Sequence, residues 1–65
     1  MTTIGKNIKK YREKAQISQD KLSKLADISA NTVAKLELEE SSNPTIETLQ
    51  KIAKALNVTI DDLIK

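Results

Sequence analysis

The side chains best placed to do chemistry in this 65-residue chain lie between Ala30 and Leu38. Asn31 and Lys35 stand four residues apart, so on a helix they share a face and rise about 6 Å from one another. The Asn amide can pair bidentately with an adenine edge, the Lys ammonium can donate to guanine O6 or N7, and the methyl of Ala30 can touch thymine. The same two residue types also decorate ordinary solvated helices, so this reading depends on what positions them. Catalysis has much less material. With no Cys and no His, the chain lacks disulfides, the usual zinc ligands and the commonest acid–base group at neutral pH. No nucleophile, base and orienting group can be assembled, so neither an enzyme nor a cofactor or metal site is expected. The adjacent carboxylates Asp61 and Asp62 are better explained by a helix N-terminus, where Thr59 and Asp62 have capping-box spacing.

The stretch Ser18 to Glu37, SQDKLSKLADISANTVAKLE, must position that face. Ser18 is a good N-cap for a helix from about Gln19 to Ala26 with the stripe Leu22, Leu25 and Ala26. Ser29 caps a helix from about Ala30 to Leu38 with the stripe Val33 and Leu36. Only Asp27 and Ile28 separate them. A corner this short turns the second helix across the first, with Ile28 as the plug beneath it. Val33 and Leu36 inward leave Ala30, Asn31, Ala34, Lys35 and Leu38 outward. Leu38 is a large apolar residue on a face that should be wet. It either packs inward through a lengthened last turn or meets a partner.

Upstream, Ile4, Ile8, Tyr11 and Ala15 recur at helical spacing over about Ile4 to Ala15. The other faces of this helix are mostly lysine, forming either a solvated surface or one that faces phosphate. Downstream, Pro44, with Asn43 or Thr45 as cap, opens a helix with the stripe Ile46, Leu49, Ile52, Ala53 and Leu56, which Asn57 ends. A last short helix spans Ile60 to Ile64. The pattern predicts an all-α, compact five-helix bundle, one domain over residues 1–65, near the lower size limit for a core without metal or disulfide. Its expected core is Ile8, Leu22, Leu25, Ile28, Val33, Leu36, Leu49, Ile52, Leu56 and Leu63. No internal repeat or flexible linker is evident.

In order and spacing, these segments resemble the helix-turn-helix domains of the phage Cro and C1 repressor and xenobiotic-response-element family. The resemblance runs from Ile4-Gly5-Lys6-Asn7-Ile8-Lys9-Lys10-Tyr11-Arg12-Glu13, through Ile17-Ser18-Gln19 and the two central helices, to Asn43-Pro44 and Leu56-Asn57-Val58. It implies a lambda-repressor-like fold and sequence-specific binding of double-stranded DNA by a small transcriptional regulator, a repressor being expected. The third helix would lie in the major groove and the second would cross the backbone. Ala30, Asn31 and Lys35 then become the base-reading residues, and Gln19, Ser29 and Asn43 the backbone contacts. Gln19 has a second reading, as an ordinary exposed first-turn residue. Arg12 and Glu37 fill the positions of a largely buried ion pair, a device for orientation more than for stability. A homodimer reading two half-sites is implied as well, with Ile60 or Ile64 as candidate exposed contacts; a cytoplasmic location is expected from the absence of Cys, which suits a reducing setting.

Several residues depart from that pattern. Gln16 and Asp27 stand where the family commonly has glycine. The first corner therefore either closes differently or carries a positive φ, while Asp tolerates the left-handed region at some strain. After Leu38 come Glu39, Glu40, Ser41, Ser42 and Asn43 in place of Asn-Gly and basic residues. Carboxylates there oppose the helix macrodipole and repel a DNA backbone. The net charge of +2 is divided unevenly, about +4 over residues 1–17 and about −2 over 18–43. The alternative function is therefore a protein-interaction module that keeps the fold without binding DNA tightly. No apolar run approaches a membrane span or signal-peptide core, so a soluble protein with no membrane role is expected.

Overall fold

The computed structural model describes residues 4–38 and 44–65. These form five α-helices: α1 (Ile4–Lys14), α2 (Gln19–Ala26), α3 (Ala30–Glu37), α4 (Ile46–Leu56) and α5 (Ile60–Ile64). The expected all-α bundle is thus what the chain builds. α2 packs on α3 and α4, and α1 lies against α3, α4 and α5.

Each of α2 to α5 starts on a hydroxyl that accepts the backbone N–H three residues on: Ser18 from Lys21, Ser29 from Thr32, Thr45 from Thr48 and Thr59 from Asp62. These caps satisfy donors that have no partner within the helix. Of the two candidates for α4, the cap is Thr45; Asn43 lies outside the described residues. At α5 the Thr59 N–H also donates to Asp62 Oδ2 at 3.0 Å, which completes the expected capping box. That bond holds the Asp62 carboxyl below its ordinary range.

Three corners share one construction. Gln16, Asp27 and Asn57 all take the left-handed conformation, at φ 60, 58 and 59°. After each, the next backbone N–H reaches back to close the preceding helix: Ile17 to Arg12 O at 3.2 Å, Ile28 to Ser23 O at 3.0 Å and Val58 to Ala53 O at 2.9 Å. Ile17, Ile28 and Val58 then pack against the core, and the following residue is the N-cap Ser18, Ser29 or Thr59. This is the Schellman closure with its apolar contact. Gln16-Ile17-Ser18, Asp27-Ile28-Ser29 and Asn57-Val58-Thr59 are therefore a three-residue local repeat, where none was expected. The chain's one glycine, Gly5, is buried inside α1 instead.

Asn and Asp tolerate positive φ better than Gln does. Gln16→Gly should accordingly stabilise the domain by about 0.5 to 1 kcal/mol, and Asn57→Gly by less. Urea midpoints of the two variants test this, and an equal or reversed order would show that strain at Gln16 is not the cause.

Each helix contributes one fully buried side chain to a single core: Ile8, Leu22, Val33, Ile52 and Leu63. Leu36, Leu49 and Leu56 join them, with Ala26 and Ala53. Two expected core members differ. Leu25 is 52% exposed, because α2 turns Leu22, Ser23 and Ala26 toward its neighbours and leaves Leu25 at the edge of that arc. Ser23 tolerates burial because its hydroxyl donates to Asp20 O at 2.6 Å. Ile28 is half-buried, a cover over the corner more than a plug within it. Ala15, expected to belong to the apolar stripe of α1, lies beyond that helix and is exposed.

Candidate nucleic-acid interface

Ser18 to Glu37 forms the expected pair of helices. The Asp27–Ser29 corner leaves no room for the chain to run straight, and packing on Val33 and Leu36 fixes which side of α3 faces away from α2. On that outer side Ala30, Asn31, Lys35 and Leu38 are exposed, and Ala34 is half-buried. Asn31 and Lys35 are thus both accessible and one turn apart, as the spacing predicted. Leu38, for which two outcomes were open, does not fold inward: it is the α3 C-cap and 68% exposed.

The orientation of α3 is held from α1. Arg12 Nε donates to Glu37 Oε2 at 2.6 Å and Nη2 donates to Glu37 Oε1 at 3.0 Å, a bidentate fork. Arg12 Nη1 donates to the Ile17 carbonyl at 2.9 Å, so the guanidinium also closes the α1–α2 corner. The two side chains are only 12% and 3% exposed. Burial alone would raise the Glu37 carboxyl, but hydrogen bonds from Arg12 and Gln19 and the charges of Arg12 and Lys9 hold it below the ordinary carboxylate value. The same hydrogen bond raises Arg12 further.

Gln19 supplies a link that the sequence did not disclose. Its Nε2 donates to Glu37 Oε1 at 2.9 Å, joining the first residue of α2 to the last of α3. A carboxylate can only accept, so the amide nitrogen must face Glu37, leaving the Gln19 carbonyl and its second N–H for other partners. Gln19 is half-buried rather than an ordinary exposed first-turn residue. Ser29 is exposed, but its hydroxyl already accepts the Thr32 N–H at 3.1 Å and bonds Thr32 Oγ1 at 2.8 Å. Its capping role is occupied whether or not it meets a ligand. Asn43, the third expected backbone contact, is outside the described residues, as are Glu39, Glu40, Ser41 and Ser42. Asp20 pairs with Lys24 across one exposed turn at 3.2 Å, near the N-terminus of α2.

A second tie also gave no sequence signal. Asn7 Nδ2 donates to the carbonyls of Leu63 at 2.8 Å and Lys65 at 3.0 Å, fastening the end of α5 to α1. Of the two candidate dimer contacts beside it, Ile60 packs half-buried against the core, whereas Ile64 is 49% exposed. Ile60 therefore has little surface left to offer.

Comparison with known proteins agrees with this geometry. A helix-turn-helix family model matches residues 8–63. The HTH-type transcriptional regulator SinR of Bacillus subtilis (strain 168) is 30% identical over 61 residues, covering 94% of this chain and 55% of the relative. The SinR regulator of Bacillus licheniformis matches to the same extent. The chain thus spans about half the length of these curated relatives. Among solved structures, the N-terminal DNA binding domain of SinR from Bacillus subtilis superposes with a TM-score of 0.90 at 30% identity, covering 94% of this chain and 88% of that one. With the two-helix corner, the Arg12–Glu37 fork and a family match over most of its length, the chain belongs to the Cro/C1-type helix-turn-helix family.

Proposed function

We propose that this chain binds double-stranded DNA sequence-specifically, as a small transcriptional regulator or the DNA-binding part of one, and acts as a repressor. The observation that carries this reading is the exposed outer face of α3, with Asn31 and Lys35 one turn apart on a helix tied to α1 through Arg12 and Glu37. The relatives named above are a transcriptional regulator and a DNA-binding domain. In this reading α3 enters the major groove; Ala30, Asn31 and Lys35 meet base edges; Gln19, Ser29 and Asn43 meet the backbone. The role is binding, not catalysis, in keeping with a chain that has no Cys or His. A cytoplasmic setting fits; among the described residues no helix is long and apolar enough to cross a membrane.

The deciding experiment is a salt titration of binding to a random duplex and to a site selected from a random pool. Binding through several phosphates must weaken steeply with salt, with log K falling linearly in log salt concentration. A salt-independent or absent interaction would favour the protein-interaction alternative. The same reading includes a symmetric dimer on two half-sites about 34 Å apart, one helical turn. Ile64 is its candidate contact. Sedimentation should show two chains on a two-half-site duplex, and Ile64→Lys should reduce this to one chain per duplex without altering the fold. A wild-type monomer on such a duplex would end the dimer proposal.

A further inference from the structure

Leu38 is a leucine in water at a place where the helix could have ended on a polar residue. Among the described residues it is, at 68%, more exposed than the other exposed large apolar residues, Leu25, Ile46 and Ile64, which sit on different helices. It has not left the path of α3. Its φ and ψ are −83° and −4°, and its N–H still donates to the Ala34 carbonyl at 3.0 Å. Helical geometry therefore places its side chain. At 100° per residue, Leu38 lies about 170° from the midpoint of Val33 and Leu36 and about 20° from Asn31. It occupies the middle of the outer face, almost directly opposite the core.

We propose that Leu38 extends the reading face of α3 and contacts the 5-methyl group of a thymine in the major groove, making thymine part of the preferred site. This rests on the DNA-binding reading above. Asn31, Lys35 and Leu38 form one row along the helix. The rise from Asn31 to Leu38 is about 10 Å, which corresponds to roughly three base-pair steps. Leucine has nothing to offer a phosphate or a polar base edge. On the major-groove edge of a base pair the feature it can bury against is the thymine methyl. A protein partner would call instead for a contiguous apolar patch. Around Leu38 on this arc stand Asn31, Lys35 and the half-buried Ala34, which make a mixed surface suited to base edges.

The test couples one side chain to one methyl group. In a site selected from a random pool, each thymine is replaced singly by deoxyuridine, which removes only the methyl. Wild type should bind about fourfold more weakly at one such position, the equivalent of one methyl no longer buried. Leu38→Ala should bind the parent site more weakly and lose the thymine–deoxyuridine discrimination at that position alone. Leu38→Met should keep it. Circular dichroism of the variants checks the fold, which an exposed position leaves intact. If wild type selects a site but no deoxyuridine substitution weakens it, or if the penalty persists in Leu38→Ala, the assignment of Leu38 is wrong while the DNA-binding reading stands. If wild type selects no site at all, both fall together.

Discussion

Arg12→Met and Glu37→Leu should each destabilise the domain by about 3 to 5 kcal/mol, while the double variant should recover most of that loss. The reason is desolvation. With both side chains nearly enclosed, removing either partner strands a buried charge, and neither remaining contact can replace the fork. Without Arg12, the Glu37 carboxylate keeps the Gln19 amide and the more distant charge of Lys9; without Glu37, the guanidinium keeps the Ile17 carbonyl. Removing both leaves the Gln19 amide and the Ile17 carbonyl without these partners but strands no charge, which costs about 1 kcal/mol. A single core of this size supplies roughly 3 to 5 kcal/mol in all. The single variants are therefore best compared in a stabilising osmolyte, from urea midpoints. Strict additivity of the two losses would show that the residues do not interact.

The same site sets an acid limit. A carboxylate whose folded pKa is depressed adds stability that is fully present above its unfolded value, about 4.3 for Glu, and is lost as pH falls through the lower folded value. Glu37 is shifted in that direction. Wild-type stability should therefore fall with pH below about 4.3, and Glu37→Gln should flatten that slope. Asp62, shifted the same way by Thr59, should leave a smaller residual slope in the variant. An unchanged slope in Glu37→Gln would remove Glu37 as its source.

Asn31→Ala should cost about 1 to 3 kcal/mol on the preferred site and far less on random DNA, relaxing the preference at one base pair. Asn31 is exposed on the outer face of α3, so truncating it disturbs no core contact and the loss can be read as binding. Lys35→Ala should relax a neighbouring position, because the two residues are separated by about 6 Å along the helix. Gln19→Ala should instead weaken all sequences more evenly, as a backbone contact does. Because Gln19 also donates to Glu37, its stability must be measured beside its affinity. Affinities for the selected site and its single-base variants, at one salt concentration, decide the matter. If Asn31→Ala loses affinity equally on every duplex, α3 is not the reader.

What could be read from the sequence was local. Hydroxyl caps at Ser18, Ser29 and Thr59, apolar periodicity and the two-residue corner were enough for five helices in order, because capping and helix period act within three or four residues. The outer face of α3 followed from the same arithmetic. The left-handed residues at Gln16 and Asp27 were foreseeable as departures from glycine. Their recurrence with Asn57 in one three-residue corner was equally visible in Gln-Ile-Ser, Asp-Ile-Ser and Asn-Val-Thr, but only backbone angles show that the three are one device. The pairing of Arg12 with Glu37 came from family resemblance, since nothing local joins residues 25 apart.

Tertiary packing decided the rest. Leu25 and Ser23 are two residues apart, and by side-chain type the leucine belongs inside. The rotation of α2 against α3 and α4 reverses that order: Ser23 is buried with its hydroxyl satisfied by Asp20 O, and Leu25 is left exposed. The Gln19–Glu37 and Asn7–Leu63 bonds likewise span 18 and 56 residues, and a long polar side chain carries no record in sequence of which distant carbonyl or carboxylate it will meet. Whether Leu38 stays in water was open for the same reason. One-dimensional periodicity places a side chain on a face of its own helix, but only the neighbouring helices determine whether that face is covered.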